Sequence, residues 1–386
     1  MEKQFYAYSL SLRFFGLLPT TTCKLLRENE KLPLHCFIYP FLTILLVWFN
    51  VVRLVVACLF LWNGSGQLPD YLFLAMLIVY YLACAICRTT FIYKSWKGNC
   101  VIEAVQLSLF NPLERPWNQF ERFHSSVQNG FRKTYRLAIF IGWFYVLFNN
   151  AQIIVLEFYG FNGGLEQSVL LAPFDRFNPF SGFPNCLLIV LQLLCSIMAD
   201  AGMIFPLGYV MVLLLYIARQ FKELTNWIKS RRTPVNMSKL SINLKLIHDT
   251  FFAITNASRR LNKVVRIQIG VQLVFCFFGV LVNMYQMVWI GEGDSNGMLR
   301  LTFGVWFSFS TFLFISIMIP SIIVSNFAEQ VKEQVRKCSI SQFDGPNDQY
   351  KMSMLLVIEQ RSNLEPVGLS FFNLKYIRSE TLVAVS

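Results

Sequence analysis

Histidine and acidic residues are scarce in this chain. Histidine occurs three times, and Asp and Glu together occur 22 times against 34 Lys and Arg. Histidine is the side chain most used for proton transfer and metal binding, and His35, His124 and His248 lie far apart without metal-ligand spacing. We therefore expect no metal site, no cofactor and no enzyme activity.

Charged residues as a whole are also few. They make up 15% of the sequence, whereas 55% is hydrophobic and Phe alone occupies 38 positions. This apolar fraction exceeds that of an ordinary soluble domain and is typical of an integral membrane protein. The net charge of +12 does not require nucleic acid, because the Lys and Arg residues lie in the links between apolar runs, where they indicate membrane orientation.

Long apolar runs predict an all-α membrane protein with seven transmembrane helices. Six strong runs cover residues 37–62, 71–87, 137–159, 186–217, 264–290 and 299–325, and a weaker seventh covers 367–386. A helix needs about 20 apolar residues to cross a bilayer. The fourth run is longer than a hydrocarbon core of about 30 Å requires, so we expect that helix to continue into the cytosol, with Pro206 either bending it or marking the change of surroundings.

The distribution of Lys and Arg predicts which end of each helix faces the cytoplasm. The amino-terminal segment 1–36 and the links 88–136, 218–263 and 326–366 are rich in both residues, whereas the links 63–70, 160–185 and 291–298 together hold only Arg176. Because positive residues favour the cytoplasmic side, the amino-terminus is expected inside and the carboxy-terminus outside. This orientation is the reverse of that of a G-protein-coupled receptor.

Two cytoplasmic links carry helical apolar stripes. Residues with this spacing are Leu240, Leu244, Ile247, Phe251 and Ile254, then Ile217, Phe221, Leu224 and Ile228, then Phe327, Val331 and Val335. Steps of three and four residues place such side chains on one face of a helix. We expect a cytoplasmic layer of anchor helices, whose stripes pack either within one subunit or between subunits.

Polar residues inside the apolar runs are the candidate functional residues, because a charge near the bilayer centre costs roughly 2.5 to 3.5 kcal/mol. The candidates for a small-molecule pocket are Asn149, Asn150, Gln152, Gln192, Ser196, Asp200, Asn283, Gln286 and Trp289. Together they would form an outward-opening pocket with a few polar groups. The alternative is structural: Arg53 forms an ion pair with Glu157 or Asp200 and holds the helices together.

The seventh run contains Lys375, Arg378 and Glu380 near its middle. A helix with three ionisable groups at membrane depth must face protein or water, so we expect an interior helix beside a pore or cavity.

The architecture and one local motif resemble the insect chemoreceptor family, in particular its gustatory branch. The segment Gly368-Leu-Ser-Phe371-Phe372-Asn-Leu374-Lys-Tyr376 is similar to the family's Gly-Phe-Phe-x-Leu-Asp-Tyr, with Lys375 in place of the usual acidic residue. The resemblance implies a ligand-gated, non-selective cation channel that senses small-molecule tastants at the plasma membrane of chemosensory neurons. It further implies a homo- or hetero-tetramer in the lipid bilayer, with pore-helix residues Phe371, Phe372, Tyr376 and Arg378.

The end of the sequence departs from the family pattern. Family members finish with Thr-Tyr-x-x-x-x-x-Gln-Phe, and the sequence reaches Ser386 about where that motif would begin. We therefore expect an incomplete seventh helix and poor conduction by this chain alone. Two other classes remain open: a seven-helix metabotropic receptor, which would have the opposite orientation, and a secondary transporter, for which the sequence offers no repeated half.

Overall fold

Helices make up almost all of the residues that the computed structural model describes. It describes residues 10–18, 37–62, 68–96, 121–160, 183–230, 237–289, 297–340, 367, 369–371 and 375–376. The helices with defined bounds are α1 Ile38–Trp62, α2 Leu68–Trp96, α3 Glu121–Gly160, α4 Phe183–Ser230, α5 Met237–Trp289 and α6 Gly297–Ile340. Residues 10–14 are also helical, which gives seven helices within the described residues. The prediction of an all-α chain is confirmed.

Five of these helices are long and apolar enough to cross a membrane. The qualifying segments are Ile38–Leu59, Leu74–Lys94, Val190–Lys229, Ile247–Val288 and Arg300–Lys337. The predicted third run, 137–159, lies within α3. Every strong apolar run is therefore helical over the residues that the structure describes, as its length and hydropathy predict.

The last three long helices are longer than a single crossing requires. Helix α4 has 48 residues, α5 has 53 and α6 has 44. The length of α4 agrees with the predicted extension, and Pro206 remains inside the helix. The apolar stripe of the fourth link and the fifth apolar run belong to one helix, α5, because no Gly or Pro interrupts the sequence between them.

The chain divides into two compact units. Unit 1 contains residues 1–98, 137–208 and 268–315, and unit 2 contains 99–136, 209–267 and 316–386. In unit 1, α1 and α2 pack together, with Trp48 Nε1 donating to Thr89 Oγ1 at 3.0 Å. Met76, Val282 and Phe303 form a buried apolar cluster that joins α2, α5 and α6.

Large apolar side chains also cover the outward faces of unit 1. On α1, Leu45, Val52 and Leu59 are 65%, 58% and 64% exposed, and they recur every seven residues. Continuous apolar faces of this kind are rare on soluble monomers and suit contact with lipid. The helix faces therefore agree with the predicted membrane class.

The amino-terminal segment 10–18 packs into unit 1 through aromatic rings. The Phe15 ring lies 5.0 Å from that of Trp143 and 5.1 Å from that of Phe205, measured between centroids. Gly16 ends the helical stretch with a φ of 65°, a left-handed conformation that favours glycine. A Cβ atom at Gly16 would lie only 3.0 Å from Thr43, so the sequence also needs glycine for space.

In unit 2, the carboxy-terminal segment packs against α5. Leu369 and Ser370 are buried, and the Asn262 side chain accepts a hydrogen bond from the Ser370 backbone N–H at 2.8 Å. Asn262 Nδ2 also donates to Ser370 Oγ at 2.9 Å. One amide side chain thus contacts both the backbone and the hydroxyl of a single residue.

The predicted seventh helix is wrong at the described positions of segment 367–386. Ser370–Phe371 and Lys375–Tyr376 are short antiparallel strands, paired Ser370 with Tyr376 and Phe371 with Lys375. Phe and Tyr favour strands, and a helix through Lys375 would bring its charge to membrane depth. Phe372 and Arg378 lie outside the described residues.

Candidate functional site

Asp200 is the centre of a buried polar cluster in unit 1. It lies on α4, is 0% exposed and accepts hydrogen bonds from three neutral side chains. Asn149 Nδ2 and Asn150 Nδ2, both on α3, donate to Asp200 Oδ2 at 2.8 Å. The Tyr80 hydroxyl, on α2, donates to Asp200 Oδ1. We call Asp200, Tyr80, Asn149 and Asn150 the Asp200 cluster.

Arg53 forms a second polar cluster, with amide partners. Its Nε donates to Asn50 Oδ1 at 3.0 Å, and its Nη2 donates to Gln192 Oε1 at 2.8 Å. Gln192 Nε2 in turn donates to the Tyr81 hydroxyl at 3.3 Å. Within the described residues, Arg53 and Asp200 form no ion pair. The predicted pairing of Arg53 with Asp200 is therefore wrong. The side chain of Glu157 lies outside the described part of α3.

Arg88 is a third buried charge, and sequence patterning placed it wrongly in the second cytoplasmic link. The structure places it in α2, with a relative exposure of 0%. Its guanidinium donates to Thr43 Oγ1 at 3.1 Å and to the backbone carbonyls of Phe15 and Met198. The prediction failed because Arg88 directly follows an apolar run, where a link residue and a buried helix residue look alike.

Helix α4 presents Asp200 and the contacts of Arg88 on different faces. Gln192, Ser196 and Asp200 follow one another at steps of four and therefore share a face, along a rise of about 12 Å. Met198, whose carbonyl accepts from Arg88, is two residues from Asp200 and so lies about 200° away around the helix. Gly202 is on the Arg88 side as well, since a Cβ atom there would lie 3.2 Å from Arg88 Cβ.

The remaining predicted pocket residues lie elsewhere in unit 1 or outside the described side chains. Asn283 and Gln286 are each 1% exposed and lie one turn apart on α5. No hydrogen bond within the described residues joins Asn283 to the Asp200 cluster, and Asn283 Oδ1 is buried without a partner there. Gln152 is half-buried on α3, and the side chain of Trp289 lies outside the described residues.

Sequence reasoning missed several polar partners. Tyr80, Tyr81, Asn50 and Thr43 were not among the candidates, yet each hydrogen-bonds a buried charge or its amide partner. The Tyr80-Tyr81 pair inside an apolar run is a usable signal, because a buried tyrosine hydroxyl needs a partner. No such signal marks Thr43, which also bonds the Pro40 carbonyl of its own helix at 2.7 Å.

The side chains of these clusters can recognise a small ligand or ion. Over the described ranges, no three His, Cys, Asp or Glu side chains come close enough together to hold a metal ion in the usual way. The clusters instead offer amide, phenol and hydroxyl groups within an apolar interior, which suits orientation of a small ligand or ion.

The fold of this chain is similar to that of proteins with solved structures. The chain is similar to the insect olfactory receptor OR5 from Machilis hrabei, with a TM-score of 0.65, 15% sequence identity, and coverage of 99% of this chain and 94% of that chain. The fold is that of an insect olfactory receptor. The structure of OR5 in complex with eugenol gives the same TM-score and identity and covers 100% of this chain and 94% of that chain. No protein-family model and no curated protein match the sequence.

The likeness to OR5 confirms the predicted all-α membrane fold class, and the first six predicted spans are helical in the described residues. At 15% identity, the likeness extends to the fold and leaves residue roles open. The gustatory branch, the orientation of the termini and the individual pocket residues therefore remain predictions.

Proposed function

We propose that this chain is a subunit of a chemosensory receptor that binds a small molecule and gates a cation-conducting pore. The observation that carries the proposal is the likeness to OR5 over 99% of the chain. The gustatory assignment is supported by the motif from Gly368 to Tyr376, and it makes the ligand a tastant. OR5 itself has been solved in complex with eugenol, a small molecule.

The proposed ligand site uses buried amides of unit 1. Gln192 on α4 and Asn283 and Gln286 on α5 are 4%, 1% and 1% exposed and belong to helices rich in apolar residues. Small-molecule sites combine an apolar lining with a few polar groups that fix the orientation of the ligand. Buried amides that hydrogen-bond a ligand also discriminate against analogues that lack the matching group.

The proposed assembly is a tetramer, either of this chain alone or with related receptors, in the plasma membrane of chemosensory neurons. In this assembly the carboxy-terminal segment contributes to the pore, and the amphipathic faces of unit 2 anchor the subunits. Leu369 and Ser370 are buried, and Ser370 bonds Asn262 of α5. These contacts support a defined position for the beginning of that segment.

The direct test is current recording from cells that express the full chain, alone and together with a related receptor, during a screen of sugars, bitter compounds and amines. We expect agonist-gated current from at least one combination. Gln192→Ala and Asn283→Ala should each shift the half-maximal concentration by about tenfold, equivalent to about 1.4 kcal/mol. The control is Ser308→Ala, because Ser308 is exposed and its hydrogen bond in the described part of the chain is to the Gly304 carbonyl of its own helix.

Normal surface expression without agonist-gated current in any combination would count against a channel. A tag on Met1 separates the proposal from a metabotropic receptor, because the Lys and Arg distribution predicts that the tag is reachable only after permeabilisation. Labelling of that tag on intact cells would contradict the proposed orientation.

A further inference from the structure

Asp200 is a buried carboxyl group with no basic partner among the described residues. Its side chain is 0% exposed, and its three hydrogen-bond partners, Tyr80, Asn149 and Asn150, are all neutral. Neutral donors orient a carboxylate but leave its net charge in place. A net charge in an apolar interior is costly unless it is paired or coordinates an ion.

Nearby basic residues are occupied elsewhere. Arg88 donates to the Met198 carbonyl and lies beside Gly202, on the side of α4 that is about 200° from Asp200. Arg53 donates to Gln192, two turns before Asp200 on α4. Neither guanidinium forms an ion pair with Asp200 in the described residues.

The side-chain oxygen of Asn150 indicates a ligand next to Asp200. Asn150 is 5% exposed; its Nδ2 donates to Asp200 Oδ2 and to the Val146 carbonyl, both within 2.8 Å. Its Oδ1 is buried and has no hydrogen-bond partner among the described residues. Because both atoms belong to one amide group, this free acceptor lies next to the Asp200 carboxylate.

Two hydroxyl groups, of Ser196 and Tyr80, are further candidate oxygen ligands near Asp200. Ser196 is fully buried one turn before Asp200, on the same face of α4, and the Tyr80 phenol oxygen already contacts the carboxylate. Carboxylate, amide carbonyl and hydroxyl oxygens are the ligands of hard cations. A single carboxylate balances a single positive charge, whereas a divalent ion would leave an excess charge in the interior.

We propose that Asp200, Asn150 and Ser196 bind a monovalent inorganic cation, for which sodium is the probe. The ion completes the coordination of Asn150 Oδ1 and neutralises Asp200. This site is separate from the proposed ligand amides of α5, and its occupancy links the packing of α2, α3 and α4 to the ionic composition around the receptor. The proposal does not depend on which tastant the receptor binds.

The test measures thermal unfolding of the purified full chain in lipid nanodiscs, without any agonist. Sodium chloride is compared with N-methyl-D-glucamine chloride at equal ionic strength, since this bulky organic cation cannot be coordinated by several oxygen atoms as sodium is. We expect the unfolding midpoint to rise with sodium concentration, by roughly 2 °C or more at saturation. Asp200→Asn, which keeps the shape of the side chain and removes its charge, should abolish the rise.

Two further variants keep the proposal falsifiable. Ser196→Ala retains Asp200 and should require an approximately tenfold higher sodium concentration for the same shift, which gives a decision even if Asp200→Asn fails to fold. Asn283→Ala is the control for loss of a buried amide, because no hydrogen bond among the described residues joins Asn283 to the Asp200 cluster, and without agonist it should keep the wild-type sodium dependence. Equal midpoints in the two salts, or an unchanged sodium response in Ser196→Ala or Asp200→Asn, would overturn the proposal.

Discussion

Arg88 and Asp200 are both fully buried ionisable residues of unit 1, but the protein stabilises them by different means. Arg88 contacts two backbone carbonyls and one hydroxyl, which come from segment 10–18, α4 and α1. Asp200 contacts three side chains that can rotate, from α2 and α3. A charge held by the backbone fixes the relative position of chain segments. A charge held by movable side chains can respond to an ion or a ligand.

The largest effect is expected for Arg88→Leu. This change leaves the Phe15 and Met198 carbonyls and the Thr43 hydroxyl without their charged donor, and backbone carbonyls cannot turn away to find another. Hydrogen bonds to charged groups contribute about 1.5 to 3 kcal/mol each, so we expect a loss of about 4 kcal/mol or more in unfolding free energy. The measurement is thermal stability and yield by fluorescence-detected size-exclusion chromatography.

Arg136→Leu is the control for this prediction, because Arg136 is an exposed arginine on α3. If Arg88→Leu were as stable as the control, the contacts of Arg88 would not stabilise the protein as we propose.

A smaller loss is expected for Asp200→Leu. The freed Asn149, Asn150 and Tyr80 side chains can rotate toward one another, so we expect about 2 to 3 kcal/mol rather than the sum of three lost bonds. Asp200→Asn should lose less than Asp200→Leu, because an amide can accept from at least one of the same donors. Chemical or thermal unfolding of both variants checks the order, and an Asn variant less stable than the Leu variant would contradict the assigned hydrogen bonds.

Gly16→Ala tests the attachment of segment 10–18 without touching a charge. The φ of 65° and the 3.0 Å distance to Thr43 both oppose a Cβ atom, and we expect a loss of about 1 to 2 kcal/mol. Gly304→Ala is the matched control, because a Cβ atom there would lie 3.6 Å from the nearest atom, Met287 Cε. The midpoints of thermal unfolding compare the two, and equal values would show that the segment is not held at Gly16.

The smallest effect concerns coupling between Arg53 and Asp200. Since the two side chains lie in separate clusters, the stability losses of Arg53→Leu and Asp200→Leu should add, with a coupling energy below about 0.5 kcal/mol. A double-mutant cycle of unfolding free energies measures this value. A favourable coupling energy of several times that size would instead indicate an ion pair between Arg53 and Asp200, which was one of the sequence-based alternatives.

The positions of the long helices were predictable from the sequence, but several contacts were not. Hydropathy over about 20 residues locates a membrane helix without knowledge of its neighbours. The contact between Tyr80 and Asp200 joins residues 120 positions apart and depends on how α2 packs on α4. Periodicity shows that Gln192, Ser196 and Asp200 share a face, but it does not identify the residues on the facing helices.

Arg88 and the carboxy-terminal strands show two further limits of sequence patterning. Counting Lys and Arg assumes that each lies at the membrane surface, and Arg88 is buried instead. A two-residue strand such as Ser370–Phe371 leaves almost no periodic signal, because its pairing and its contact with Asn262 decide its conformation.

The Asn262 contact with Ser370 determines which residue of the first carboxy-terminal strand faces α5. Its amide recognises a backbone N–H and a hydroxyl that belong to the same residue. A shift of the chain by one residue would present Leu369 or Phe371, neither of which has a hydroxyl, and would turn every strand side chain to the opposite face. A one-residue insertion between Leu369 and Phe371 should therefore be far more damaging than a substitution at either neighbour.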